Sequence, residues 1–447
     1  MMKKKMKMMI SQLHKVNIYT SSFHSHHSNP HFNFFVRDRC KSGNLGIEEA
    51  MGLFDNAIQM RPLPSILLFT QLLGAICKLR QYSTVITMFK AMDSQGIKAN
   101  TVTFGTLINC FCHIGKVVFG FAVVGNIFKS GFEPNIVIFN TLLKGLFKEN
   151  RGKDAILLFY KITEIGYTYN VVTYGTMVDG LCKTGNVDQA IKLLNDMEKG
   201  NFKPNVLIYS AIIDRLCKAK KLYEAMQIFE DMCSKGLTPN VITYTSLIDG
   251  LCKVGRVAAA QEFFMEMQAR RPSPNVYTCN VLLDGLFTNG CYEEAMRLFE
   301  KMDNDGLEAD IVTYNTVIDN MCKSNNLDEA KKLFDSFPSK ELKPNTWTFN
   351  IMIQGFMKEG LLQESENLLT EMLDKGPTPN NVTYSIMIRG FFQNNEIDKA
   401  VQLLNDMVDR NFPINATNTS SVKDLLALVA DGLEGKFIGL VDKVLPK

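Results

Sequence analysis

The 447-residue sequence contains no apolar run long enough to cross a bilayer. The longest, from Val117 to Gly125, is about nine residues, whereas a spanning helix needs roughly 18 or more. Charge of one sign is also missing. The formal net charge is only +3, and the surplus sits at one end. Residues 1–37 carry Lys3, Lys4, Lys5, Lys7, Lys15 and Arg37 with no Asp or Glu, so the rest is slightly acidic. Global charge therefore gives no argument for a polyanion partner, and any such case must come from local placement. No Cys-x-x-Cys occurs among eleven cysteines, which removes the usual zinc and dithiol spacings. No phosphate-binding Gly-rich loop and no dinucleotide turn occur either. The chain is read as a non-enzyme with no cofactor and no metal.

Histidine is scarce as well. Five of the six histidines fall within residues 14–31, in a Ser-rich stretch that is basic and free of acid. That composition predicts an organelle transit peptide and disordered leader over residues 1–37.

What the sequence does have is a period. Val171, Val206, Val241, Val276, Ile311 and Thr346 recur every 35 residues, and the register runs without insertion from Ile66 to Asn415, giving ten units. A degenerate unit over 38–65, ending RPLPS, precedes them, and a partial capping unit over 416–447 follows. Within 241–275, Tyr244, Leu247, Ile248, Leu251 and Cys252 follow the spacing of one buried helix face. Gly255 then breaks the helix. Val257, Ala260, Phe263, Phe264 and Met267 mark a second face, and Pro274 and Asn275 end the unit. A small residue recurs early in the second helix, at Ala155, Ala190, Ala225, Ala260, Ala295, Ala330 and Ala400, where two helices can approach closely. Six cysteines share the twelfth position, which predicts packing thiols. One such hairpin cannot bury both its faces, whereas stacked neighbours can. The expected fold is all-α: a right-handed superhelical solenoid of 35-residue helix–turn–helix repeats.

Four positions carry candidate chemistry. The fifth residue is Thr70, Gly105, Asn140, Gly175, Ser210, Thr245, Asn280, Asn315, Asn350 or Ser385. The last is Asn100, Asn135, Asn170, Asn205, Asn240, Asn275, Asp310, Asn345, Asn380 or Asn415. A terminal Asn can be a helix N-cap. Short donors and acceptors recurring in every repeat could also meet the edges of successive unstacked bases. The reading requires those groups to line a helical groove and be open; groups tied up in the scaffold's own contacts, or facing outward, would overturn it. The thirteenth residue is lysine at Lys78, Lys148, Lys183, Lys218, Lys253, Lys323 and Lys358. Such a stripe is either a phosphate track or a set of charges complementing helix C-termini. The second residue is apolar throughout: Leu67, Val102, Val137, Val172, Leu207, Ile242, Tyr277, Val312, Trp347 and Val382. These side chains either pack between repeats or wedge against bases, with Tyr277 and the single tryptophan, Trp347, able to stack.

The units VVTYGTMVDGLCKTGNVDQAIKLLNDMEKGNFKPN (171–205) and VITYTSLIDGLCKVGRVAAAQEFFMEMQARRPSPN (241–275) resemble pentatricopeptide repeats of the P-type class. The RPLPS segment, the FCHIG run and the VTYG units look like the fertility-restorer-like branch of plant organelle proteins. The resemblance implies a monomer that binds single-stranded RNA from a mitochondrial transcript, with the chloroplast as the lesser choice. It implies one base per repeat, chosen by the fifth and last residues. Thr70/Asn100, Ser210/Asn240, Thr245/Asn275 and Ser385/Asn415 would then take adenine, and Asn280/Asp310 uracil. Asn140/Asn170, Asn315/Asn345 and Asn350/Asn380 would take a pyrimidine. Gly105 and Gly175 offer no side-chain group, so the implied target is 5′-A-N-Y-N-A-A-U-Y-Y-A-3′. Val137, Ile242, Tyr277, Val312 and Trp347 would flank the bases, and the seven lysines would follow the phosphates.

Some relatives in that family carry a zinc deaminase built on His-x-Glu and Pro-Cys-x-x-Cys. Residues 416–447 contain neither Cys nor His, so RNA cleavage would need a recruited nuclease. The competing reading is a tetratricopeptide-like protein-binding scaffold, but that repeat is about 34 residues long with a Trp, Leu-Gly and Tyr signature absent from these units.

Overall fold

The computed structural model describes residues 29–410, except Asn201, Arg271, Asp305 and Lys375. The described elements are 22 α-helices and one 3-10 turn, with no strand among them. They fall into two compact units, one up to Arg215 and one from Leu216 onward. No described helix is long and apolar enough to cross a membrane.

Each 35-residue period is one helical hairpin. In the second unit, Val241–Lys253 and Val257–Arg270 are the two helices of residues 241–275. The break between them is stereochemical. Gly255 has φ +78°, and the same place is left-handed at Gly115, Gly185, Gly290 and Gly360. Arg80, Asn150, Lys220, Asn325 and Asn395 adopt it without the freedom of glycine, with φ between 58° and 61°. An L side chain is strained there. Replacing Lys220 with glycine is therefore expected to stabilise the second unit by about 0.5–1 kcal/mol, read as a higher midpoint in thermal denaturation.

Burial follows the helical period. Tyr244, Leu247, Ile248, Leu251 and Cys252 are buried, as are Val257, Ala260, Phe264 and Met267. All seven early alanines of the second helices are fully buried. In each unit, first helices pack directly on the first helices of neighbouring hairpins. The closeness of that stacking has a visible cause. A methyl group on Gly145, Gly180, Gly250, Gly285, Gly355 or Gly390 would lie within 3.0 Å of the twelfth residue of the hairpin before it, which is Cys, Phe or Met. Five of the six twelfth-position cysteines are buried and Cys77 is half-buried; all are free thiols. Burial pushes the Cys112, Cys182 and Cys322 thiols up to about 12 and Cys252 up to about 11. They pack as neutral groups. Cys110 takes the place of the tenth-position glycine and donates to Cys77 across 3.8 Å.

Two features differ from expectation. A helix runs from Asn29 to Ser42, across the boundary assigned to the leader at residue 37. Val36 on it is fully buried and belongs to the same core cluster as Phe54, Leu68 and Phe69. Arg39 pairs with Glu49 at 2.6 Å to join this helix to Ile47–Gln59. The hairpin before Ile66 therefore begins inside the segment read as leader, and Phe32, Val36 and Cys40 supply the apolar face that makes it pack. Secondly, the helix Leu327–Asp335 gives way to a 3-10 turn at Phe337–Lys340. Pro338 lacks an N–H and its ring obstructs continuation of an α-helix. Phe337 nevertheless stays fully buried. The leader up to residue 28, the partial unit at 416–447 and Asn415 lie outside the described residues.

Candidate nucleic-acid interface

Among the described residues, the last residue of each repeat is an N-cap. Asn100, Asn135, Asn170, Asn205, Asn240, Asn275, Asp310, Asn345 and Asn380 each accept, through Oδ1, the backbone N–H three residues on, at 2.9–3.2 Å. Four free N–H groups begin every helix, and a cap satisfies one of them. The alternative open in the sequence is thus realised, yet it uses only the carbonyl half of the amide. Among the described residues, Nδ2 of Asn100, Asn135, Asn170, Asn205, Asn275, Asn345 and Asn380 makes no hydrogen bond within the protein. These residues are exposed or half-buried, so their amino groups stay open to a ligand.

The fifth residues behave differently. Thr70, Asn140, Ser210, Thr245, Asn280, Asn315 and Asn350 are all buried, at 0–8% exposure. Their narrow size range therefore has a packing cause as well: Thr70, Thr245 and Asn280 each meet a threonine of the next first helix. The hydroxyls are engaged by the scaffold, which counts against their being open readers in the free protein: Thr70 donates to the Ile66 carbonyl at 2.9 Å, Ser210 to that of Val206 at 2.7 Å and Ser385 to that of Asn381 at 2.7 Å. Asn280 is engaged too, donating through Nδ2 to Asp310 at 3.3 Å and accepting from Thr313 at 2.7 Å. Three asparagines are not satisfied. Six buried side-chain polar atoms lack a partner among the described residues, and four belong to fifth residues: Asn140 Oδ1, Asn350 Oδ1, and both Oδ1 and Nδ2 of Asn315. Native proteins leave few such atoms unpaired, so this concentration at one repeat position asks for a ligand.

Burial by itself would raise the Asp310 carboxyl, but the Thr313 backbone and hydroxyl and the Asn280 amide hold it below its ordinary value. It therefore presents a charged acceptor where the other repeats present an amide.

The second residues settle one question left open by the sequence. They do not pack between repeats. In the first unit Leu67, Val102, Val137, Val172 and Leu207 are exposed, and in the second Ile242, Tyr277, Val312, Trp347 and Val382, all at 41–67%. Scattered exposed apolar residues mean little, but a regular file of them marks a binding surface.

The seven lysines are all exposed and each is the last residue of its first helix. Sequence reasoning missed their partners. Lys183, Lys253 and Lys323 pair with Asp179, Asp249 and Asp319 one turn back at 2.6–2.7 Å. Lys148 donates to the His113 carbonyl and Lys358 to Asn325 Oδ1. The Asp-x-x-x-Lys spacing was visible in the sequence. It partly neutralises the stripe, and such exposed pairs contribute only about 0–1 kcal/mol.

A model of the PPR repeat family matches residues 64–113, 134–183, 169–214, 204–253, 242–288, 274–323, 309–358 and 344–393, and a second PPR repeat model matches 102–132 and 382–412. The chain belongs to the PPR repeat family. A mitochondrial pentatricopeptide repeat-containing protein of Arabidopsis thaliana is 39% identical over 101 residues, which is 22% of this chain and 16% of that protein. Another is 42% identical over 69 residues, 15% of this chain and 13% of that protein. The aligned stretches thus span less than a fifth of these relatives. The crystal structure of the pentatricopeptide repeat protein PPR10 in complex with an 18-nt psaJ RNA element aligns with TM-score 0.70 at 24% identity, over 86% of this chain and 55% of that one. PPR10 from maize in a second crystal structure gives TM-score 0.52 at 23% identity, over 90% and 68%. These likenesses establish the PPR fold.

Proposed function

We propose that this PPR protein binds single-stranded RNA in a sequence-specific manner, one base per repeat, through the first helices. The observation that carries the reading is the file of exposed apolar second residues running beside cap amides with open Nδ2 groups. A solvated apolar row alone suits many partners. An apolar row interleaved at a fixed period with hydrogen-bonding groups suits stacked or wedged nucleobases, each with a π-face and a polar edge. PPR10 in its crystal structure holds an RNA element, which is consistent with the same use here. The base readers are the eight fifth/last pairs with a fifth side chain: Thr70/Asn100, Asn140/Asn170, Ser210/Asn240, Thr245/Asn275, Asn280/Asp310, Asn315/Asn345, Asn350/Asn380 and Ser385/Asn415. The phosphate contacts are Lys78, Lys148, Lys183, Lys218, Lys253, Lys323 and Lys358.

The chain is assigned to the P-type, fertility-restorer-like branch, and its target is a mitochondrial transcript. The mitochondrial relatives and the basic, acid-free N-terminal segment support that assignment. Binding acts passively in RNA processing, stabilisation or translation control, and any cleavage belongs to a recruited nuclease.

The test is a titration of the full chain with two RNA decamers, one following A-N-Y-N-A-A-U-Y-Y-A and one scrambled, across a salt series. The patterned decamer is expected to bind at least tenfold tighter. Lys78→Gln is expected to make the salt dependence shallower by about 0.7 in log–log slope, one phosphate contact on a single strand. Equal binding of both decamers, or steady capture of a protein with no RNA affinity, would reject the reading in favour of a tetratricopeptide-like scaffold.

A further inference from the structure

The third residue of each repeat follows the fifth residue of the repeat before it. Thr103 follows Thr70, Thr173 follows Asn140, Thr243 follows Ser210, Thr278 follows Thr245, Thr313 follows Asn280, Thr348 follows Asn315 and Thr383 follows Asn350. After Gly105 and Gly175, the two fifth residues without a side chain, the third residue is instead Ile138 and Ile208. All nine junctions obey the rule.

All seven threonines are fully buried. A buried hydroxyl is costly unless bonded, and an isosteric apolar residue would avoid that cost. The bonds show what the hydroxyl does. Thr103 Oγ1 donates to Asn100 Oδ1 at 2.9 Å and lies 2.8 Å from Thr70 Oγ1. Thr278 Oγ1 donates to Asn275 Oδ1 at 3.0 Å and lies 2.9 Å from Thr245 Oγ1. Thr313 Oγ1 shares its proton between Asn280 Oδ1 at 2.7 Å and Asp310 Oδ1 at 2.9 Å. In these three trios one hydroxyl ties together the fifth and last residues of the preceding repeat, whereas Thr173, Thr348 and Thr383 donate to the last residue and leave Oδ1 of Asn140, Asn315 and Asn350 without a partner.

Helix capping explains the threonine only in part: Oγ1 of Thr173, Thr243, Thr313, Thr348 and Thr383 accepts the backbone N–H of the N-cap residue and completes a capping box. Ile138 and Ile208 have no hydroxyl, yet Asn135 and Asn205 still cap their backbone N–H groups at 3.1 and 3.2 Å. The N-cap side-chain bond thus forms without the hydroxyl, which is present only where a polar fifth residue precedes it. There is no steric bar at the glycine junctions either, because a Cβ on Gly105 or Gly175 would meet Ile138 or Ile208 no closer than 3.8 Å.

We infer that Thr103, Thr278 and Thr313 are positioning residues, which set the donor and acceptor orientation of the reading pair in the repeat before them. The Gly105/Ile138 and Gly175/Ile208 junctions lack both halves of this arrangement and do not discriminate through the fifth residue. The inference rests on the RNA-reading assignment above.

The test uses the full chain with Thr313→Val and Thr313→Ser, and four RNA decamers differing only at the nucleotide assigned to Asn280/Asp310. Wild type is expected to prefer uracil. In Thr313→Val that preference should fall roughly tenfold, as expected for loss of a hydrogen bond to a charged group, and Thr313→Ser should restore it. A purely structural threonine would lower affinity for all four RNAs equally and leave their ratio unchanged, which would overturn the inference. Should Thr313→Val fail to fold, Ile138→Thr added to Gly105→Asn replaces it. The added threonine should sharpen preference at that nucleotide beyond Gly105→Asn alone, and no sharpening overturns the inference. A wild type with no base preference at any repeat rejects the RNA reading and this inference together. A discriminating wild type with an equally discriminating valine variant rejects only the inference.

Discussion

Asn315→Leu is expected to leave the protein at least as stable as wild type while weakening its binding to RNA by roughly 10- to 100-fold, the value of one base contact. Asn315 is fully buried, and neither polar atom of its amide has a partner. An unsatisfied buried polar group costs about 1–3 kcal/mol. Leucine has nearly the same shape and no such penalty, so the free protein should gain up to about 2 kcal/mol. Thermal denaturation without RNA and titration with the patterned decamer measure the two effects. For a base to use this amide, the side chain must turn toward it on binding, and the ligand then supplies the missing partners. A leucine variant that is clearly less stable would mean that the amide is satisfied in the free protein. One that binds RNA like wild type would remove Asn315 from the readers.

Gly285→Ala is expected to be the most damaging single methyl addition in the second unit, at about 3 kcal/mol, the upper end for overpacking a core. The new Cβ would lie 2.3 Å from Cys252 Sγ and 2.5 Å from Cys252 Cβ. A side-chain tip can swing aside, but a Cβ cannot move without its helix, so Ile311–Lys323 and later hairpins would feel the shift. Gly125→Ala is the matched control. Gly125 also lies in a helix, Val117–Lys129, but nothing lies within 4 Å of its would-be Cβ. Alanine there should stabilise by about 1 kcal/mol through helix propensity. Denaturation midpoints that move the same way in both variants would contradict the stacking account.

The period, the hairpins and the buried faces were legible in the sequence because each depends on residues three, four or thirty-five apart. The last-residue caps were legible as one of two readings, and the structure shows that capping uses one end of the amide only. The exposure of Val137, Tyr277 and Trp347 was not legible, since a lone apolar residue near a helix start fits a core equally well. Least legible was the register between successive first helices. Thr70 meets Thr103 and Cys77 meets Cys110 across 33 residues, two short of the period. A search at the repeat length aligns equivalent positions, whereas stacking brings non-equivalent ones together. The start of the folded region was misplaced because the Asn29–Ser42 helix lies in a stretch whose composition resembles a leader.

The caps restrict how such a protein can change its target. Aspartate at position 310 holds its helix start as the asparagines do, through the same oxygen and at the same 2.9 Å as Asn275. Exchanging one for the other turns an outward donor into an outward acceptor and leaves the scaffold indifferent. Leucine or lysine in that place would unfasten the helix start. The vocabulary open to evolution at this position is set by what can begin a helix, so under the proposed reading a new specificity needs only a change among helix-starting residues, one repeat at a time.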